Sequence, residues 1–392
     1  MKFNSKTVHW ADRQKPGNFV PSTTPIFTAS SYVYESMDQL DRIFDMVEQG
    51  PSYARYDNPT RSALEELVRE LESGAGAIAC ASGMSALHLG LLAALTDRPR
   101  RVVAGNMLYG ATLGMLMNIF APLGIEPEFV DICDLAEVER AVTGQKTGAV
   151  LMETVANPLL RVGALDKIAE ITKEAGVPLI VDNTFATPML VRPIELGANI
   201  TVHSATKFLA GHGDVLGGVI IADAEYFPII RTFSRTLGPV MGPFESYLTM
   251  RGIKTMALRL ERQCANALKV ASWLATQPRV DRVYFTGDPA HPDAGTIARL
   301  FPPGQTGAMV AFELKDAKKP EVFRFMEKLQ MIVRATSLGD VHTMMLYPSM
   351  SSHRDISPKQ RERMGIKDNL VRLSVGIEAV EDIIADLEQA LG

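Results

Sequence analysis

The stretch Val177–Gly218, VPLIVDNTFATPMLVRPIELGANITVHSATKFLAGHGDVLGG, frames the reading of the whole chain. Its apolar run VPLIV leads into Asp182, and its apolar run ANITV leads through His203 to Ser204, which predicts strand, loop, short helix and strand. Ser204-Ala205-Thr206-Lys207 and a glycine-rich turn follow. A carboxylate, hydroxyls and an amine therefore fall just past strand carboxyl ends, where open α/β sheets bind their ligands.

Working outward, the same alternation recurs. Upstream, AIACASGMSALHLGLLAAL, RRVVAGNMLYGATLGML, EPEFVDICD and TGAVLMETVANP each open on an apolar strand, and LDKIAEITKEAG closes a helix on Gly176. Repeated βα units of this length predict a mostly parallel sheet flanked by helices. Leu64, Leu67, Val68 and Leu71 recur at helical spacing after Asn58-Pro59-Thr60, with Gly74 as the stop. Residues 1–50, with Pro21, Pro25 and the short helix MDQLDRIFDMV, read as an arm that buries little of its own and lies on another surface. From about Gly242 the rhythm changes to a long helical stretch, FESYLTMRGIKTMALRLERQCANALKVASWLATQ, and then an α+β segment. The expected division is an arm at 1–50, an α/β domain at 51–244 and a smaller α+β domain at 245–392.

Composition narrows the classes. The 392 residues are 46% apolar and 22% charged, with a net charge of −5 and no long basic run. This is the profile of an ordinary globular protein, with no support for nucleic acid or a membrane surface as partner. Cys80, Cys133 and Cys264 are odd in number and widely spaced, which argues for a reducing compartment. The opening MKFNSKTVHWADRQ has no apolar core of signal-peptide length, so a cytoplasmic chain is expected. Neither a G-x-x-x-x-G-K-[ST] loop nor a G-x-G-x-x-G after a strand is present, so the nucleotide fingerprints are absent.

An amine beside two hydroxyls, with a carboxylate one βα unit upstream, suits one cofactor. Pyridoxal phosphate needs a lysine for covalent attachment, an acid to keep its ring nitrogen protonated, and donors for its phosphate. Taken singly, Lys207 reads as a solvated side chain and Asp182 as a helix cap; their combination changes the balance. The turn Ser82-Gly83-Met84 opens a helix and so offers free N–H groups and a positive dipole end to a phosphate, a weak signal alone.

V-D-N-T-F at 181–185, S-A-T-K at 204–207 and G-H-G-D-V at 211–215 resemble the cofactor motifs of the Cys/Met-metabolism family of pyridoxal phosphate enzymes. That family includes cystathionine γ-synthase, cystathionine and methionine lyases and homoserine-ester sulfhydrylases. The resemblance runs from the proline-rich arm to the last helix and implies a type I pyridoxal phosphate fold. It implies that Lys207 carries the cofactor and moves protons, that Asp182 holds the ring nitrogen, and that Ser82, Gly83, Met84, Ser204 and Thr206 surround the phosphate. Asn157 in E-T-x-A-N-P would meet the phenolic oxygen, and Tyr109 in L-Y-G-A-T would stack on the ring and assist the leaving group. Tyr53 and Arg55, in Y-x-R-x-x-N-P-T, would reach the phosphate of a neighbouring subunit. Arg372 in L-V-R-L-S-V-G would clamp the substrate α-carboxylate, helped by Ser337, with Arg334 structural.

The activity implied is γ-elimination from methionine, homocysteine or cystathionine, with γ-replacement on an activated homoserine as the alternative and a non-catalytic protein of the same fold as a third. A homo-oligomer is implied, a tetramer built as a dimer of dimers, and no metal. Two positions depart from the family pattern. Residue 111 is alanine, where cysteine or glycine is common, and residue 342 is histidine, where enzymes acting on cystathionine often carry glutamate; Pro348 and His353 still match the P-x-x-x-x-H run.

Overall fold

The computed structural model describes residues 1–11, 20–45, 47–48, 50–354 and 356–392. Parts of the expected arm, residues 12–19, 46 and 49, lie outside the described residues. Seven strands form the first sheet: β1 Gly76–Cys80, β2 Arg101–Gly105, β3 Glu126–Val130, β4 Ala149–Glu153, β5 Leu179–Asp182, β6 Ile200–Ser204 and β7 Gly218–Ala222. Their order is β1-β7-β6-β5-β4-β2-β3. All neighbours are parallel except at β7, which runs antiparallel to both β1 and β6. The connection from β6 to β7, residues 205–217, carries no crossover helix, so the chain turns back on itself. The reading of the sequence treats this region only as a glycine-rich turn; GVIIA at 218–222 is a strand it did not single out.

The pleat sorts the central strands into two faces. Leu151, Ile180, Ile200 and Val202 pack with the helix Gly83–Ala94, whose Leu87 and Leu91 are buried there. Val150, Met152, Leu179 and Val181 pack on the other side with Leu165, Ile168 and Ala169 of the helix Leu165–Glu174. Because both faces are covered, the strands read as continuous apolar runs rather than alternating ones. The helix Pro59–Glu72 starts where expected: the Asn58 side chain accepts from the Thr60 and Arg61 amides, and Pro59 follows at the first turn.

A second sheet of five strands has the order β10-β11-β12-β9-β8: β8 Val280–Tyr284, β9 Met309–Leu314, β10 Val333–Arg334, β11 Met344–Leu346 and β12 Leu370–Ser374. It is antiparallel apart from the β10–β11 pair, and it buries its own cluster around Val310, Phe312, Val371 and Leu373. The long helical stretch expected after Gly242 is in fact two helices, Pro243–Ile253 and Met256–Leu274. Gly252 lies so close to the Ala210 carbonyl that an added methyl would stand 2.1 Å from its oxygen, and Arg259 Nη2 donates to the Gly252 and Phe208 carbonyls at 2.9 Å. The break is thus sealed by a buried arginine. All three cysteines are free. Among the described residues no helix is long and apolar enough to cross a membrane.

Candidate active site

Strand register brings the chemistry together. Glu153 pairs with Asp182 across β4 and β5, Asp182 with Val202 across β5 and β6, and the pleat returns Ser204 to the same face. Glu153, Asp182 and Ser204 therefore open on one cavity of about 420 Å³, in the size range of small-molecule sites. Met84, Tyr109, Asn157, Thr206, Lys207 and Arg372 line it as well.

At one end the helix Gly83–Ala94 points its amino terminus into the cavity. Ser82 Oγ accepts the Ser85 amide at 3.1 Å while Ser85 Oγ accepts the Ser82 amide at 3.0 Å, a reciprocal cap. The first helical amides have no intrahelical acceptor, and two of the residues that carry them, Gly83 and Met84, line the cavity. This is a seat for an anion. Thr206 Oγ1 accepts the Gly217 amide at 3.0 Å and steadies the loop that carries Lys207. Gly218 must lack a side chain, because a methyl there would stand 2.2 Å from the Ser82 carbonyl oxygen. Gly218→Ala is expected to push β7 away from the cap, lowering stability by about 1–3 kcal/mol and weakening phosphate binding, measured by thermal melting and cofactor titration.

Lys207 Nζ donates to Ser337 Oγ at 2.9 Å. Burial, and then the charge of Arg372, push its amine down to about 8, so a minority of about a tenth to a fifth is neutral near physiological pH, far more than for an ordinary lysine. Asp182 Oδ1 accepts the Thr184 amide at 2.9 Å. Burial raises the proton affinity of Asp182, and burial followed by the nearby Asp182 charge raises that of Glu153. Glu153 accepts the Tyr109 amide at 2.6 Å and the Asn157 amide at 3.1 Å, which sets both residues at the cavity wall. Two carboxyls side by side in a low-dielectric wall call for a cation, and a protonated pyridine nitrogen supplies one.

Arg372 stands on β12 and is 3% exposed. Its Nη1 donates to Asn157 Oδ1 at 2.6 Å, and its guanidinium lies 5.5 Å from the Phe185 ring centroid. Nε has no partner among the described residues. Burial pushes it down to about 10, still charged at neutral pH, so a half-satisfied cation faces the cavity. An anion seat, an acid for a ring nitrogen, a partly neutral amine and a half-satisfied guanidinium fit pyridoxal phosphate and a carboxylate-bearing substrate.

The structure thus gathers Ser82, Gly83, Met84, Tyr109, Asn157, Asp182, Ser204, Thr206, Lys207 and Arg372 around the cavity, with Ser337 reached through Lys207. Tyr53 and Arg55 are not there. Arg55 donates to the Arg235 carbonyl and lies 4.7 Å from the Tyr56 ring centroid, and Tyr53 is exposed. Arg334 reaches the Glu327 carbonyl at 3.3 Å, away from the cavity. His342 is also outside the cavity lining, with Nδ1 3.1 Å from Asp340 Oδ1. Ala111 lies in a separate shallow depression beside His88 and Asn118. His353 is fully buried, with Nδ1 2.9 Å from Ser352 Oγ, and burial holds it down to about 4, so it stays neutral. Reading the sequence assigned no role to Glu153, Thr184 or Phe185, although the paired strand ends E-T and D-N were a usable signal for the first.

A type I pyridoxal phosphate enzyme is the class this sheet and cavity define. The chain belongs to the family of Cys/Met metabolism PLP-dependent enzymes, whose model matches residues 4–392. It is similar to a cystathionine beta-lyase of Coxiella burnetii, 40% identical over 385 residues that cover 96% of this chain and 95% of that protein. It is also 40% identical over 373 residues to an L-methionine gamma-lyase of Fusobacterium nucleatum subsp. polymorphum, covering 94% of this chain and 92% of the relative. The crystal structure of cystathionine gamma synthase from Xanthomonas oryzae pv. oryzae in complex with cystathionine superposes with a TM-score of 0.93 at 33% identity, over 100% of this chain and 98% of that one.

Proposed function

We propose that the protein is a carbon–sulfur lyase that removes the γ-sulfur substituent of methionine, homocysteine or cystathionine, releasing a 2-oxo acid, ammonia and a thiol. The observation that carries this reading is the placement of Lys207 in one cavity with Asp182 and Arg372. When bound, pyridoxal phosphate supplies an electron-withdrawing ring that stabilises negative charge on an attached substrate carbon. Lys207 anchors the cofactor and serves as the base that moves protons between substrate carbons; its depressed proton affinity keeps the amine available near neutral pH. Asp182 holds the proton on the ring nitrogen. The Gly83 and Met84 amides, Ser82, Ser204 and Thr206 hold the phosphate. Asn157 would hold the phenolic oxygen, and Tyr109, whose amide donates to Glu153, would pack against the ring and supply a proton to the departing group.

Arg372, with Ser337, holds the substrate α-carboxylate, the planar fork of arginine matching the two carboxylate oxygens. Arg372→Leu is expected to raise KM about 100-fold with a much smaller change in kcat, in steady-state assays.

Tyr53 and Arg55, away from the cavity of their own chain, complete the phosphate site of a neighbour in this reading. The assembly is then at least a dimer and, as a dimer of dimers, a tetramer. A division near residue 245 and a cytoplasmic setting, in keeping with three unpaired cysteines, belong to the same reading.

The second reading is γ-replacement on an activated homoserine, favoured by the likeness to a cystathionine gamma synthase. A panel of methionine, homocysteine, cystathionine and O-acetyl- or O-succinylhomoserine, with and without a thiol, separates the two. Formation of 2-oxo acid from the thioethers or homocysteine supports the lyase; thioether product from an ester and a thiol, with the sulfur amino acids inert, overturns it.

A further inference from the structure

A second set of polar side chains lies behind the cavity. Thr154, Asn183 and His203 are the chain neighbours of Glu153, Asp182 and Ser204, and the pleat turns them to the opposite face of the sheet. There Thr154 Oγ1 donates to Asn183 Oδ1 at 2.7 Å, Asn183 Nδ2 donates to Glu72 Oε1 at 3.0 Å, and His203 Nε2 lies 2.5 Å from the same oxygen. All four residues are at most 1% exposed. Glu72 comes from the last turn of the helix Pro59–Glu72, so one carboxylate ties three adjacent strand ends to one helix.

Burying such a chain is costly, and apolar side chains would fill the space at less cost. Glu72 Oε2 and His203 Nδ1 even lack partners among the described residues. The network is therefore poorly explained by stability alone. Its geometry couples to the cavity in two ways. Thr154, Asn183 and His203 each share a peptide bond with a cavity residue, so locking one aims the other. His203 also places an imidazole close enough to oppose the rise in proton affinity that burial imposes on Asp182, while Glu153 and Thr184 are the other groups beside that carboxyl.

We propose that Glu72, His203, Asn183 and Thr154 form a positioning network that aims the strand-end residues of the cavity and sets the charge environment of Asp182. This rests on the assignment of Asp182 to the cofactor's ring nitrogen.

The test uses the holoenzyme and two variants. His203→Gln keeps a donor for Glu72 but cannot carry charge, and Thr154→Val removes one hydrogen bond with no change of charge or shape. His203→Gln is expected to weaken pyridoxal phosphate binding about tenfold and to displace the pH titration of the bound cofactor's absorption band by at least about half a unit. Thr154→Val is expected to weaken binding about fivefold and leave that titration in place. Wild-type cofactor affinity and titration in a folded His203→Gln protein would overturn the proposal, even if the melting temperature fell. Should His203→Gln not fold, unchanged affinity in Thr154→Val overturns it instead. A wild-type chain that binds no pyridoxal phosphate would refute the functional reading itself, a separate outcome.

Discussion

Lys207→Ala is expected to reduce turnover about ten-thousandfold, the upper range for removing a positioned proton-transfer group, while the fold survives. The side chain donates a single hydrogen bond, to Ser337, and its ammonium form is disfavoured by burial and by Arg372, so its removal relieves an electrostatic cost. The wild-type protein should be yellow and lose that colour on borohydride reduction, with the cofactor recovered on a peptide containing Lys207. Lys207→Ala should carry none on reduction and melt within a few degrees of the wild type. Full activity in the variant, or a label on another lysine, would remove the proposed chemistry.

The second large effect falls on Asp182. Asparagine keeps the shape and can still accept the Thr184 amide, but it cannot hold a proton on a pyridine nitrogen by charge. Losing a carboxylate beside a cation in a buried site shifts that cation's proton affinity by about three units, worth about 4 kcal/mol. Asp182→Asn should therefore lower kcat about a thousandfold with the cofactor still attached to Lys207. Because the Asp182 charge, after burial, raises the proton affinity of Glu153, the variant should also let Glu153 ionise more readily. A kcat within tenfold of wild type would show that the ring nitrogen's charge is held elsewhere.

Much of this site is legible in the sequence, because each contribution sits at a strand end or helix start that announces itself locally. VPLIV-D, ANITV-H-S and the Ser-Gly turn before an apolar helix mark where side chains and amides emerge, and a lysine three residues past Ser204 completes the set. Glu153 was harder to assign. It ends a strand in the same way as Asp182, yet its task is to accept the amides of Tyr109, 44 residues away, and of Asn157, four residues away. The antiparallel return of β7 and the helix break at Lys254–Thr255 are hidden for a related reason: each goes with a close backbone approach, of Gly218 to Ser82 and of Gly252, just before the break, to Ala210, that no periodicity records.

The amino-acid sequence alone determined the βα rhythm, the mostly parallel sheet, the Ser-Ala-Thr-Lys motif and the residues that crowd the strand carboxyl ends, since these depend on hydrophobic period, turn chemistry and local order. Tertiary structure alone decided which of those residues share a cavity and which do not. Register across β4, β5 and β6 turned Glu153, Asp182 and Ser204 forward and Thr154, Asn183 and His203 back, and packing of the second sheet brought Arg372 to Asn157, 215 residues away in the chain. The physical reason is that a residue's neighbour along the strand faces the opposite side, so function here depends on pairings between distant segments that local sequence does not encode.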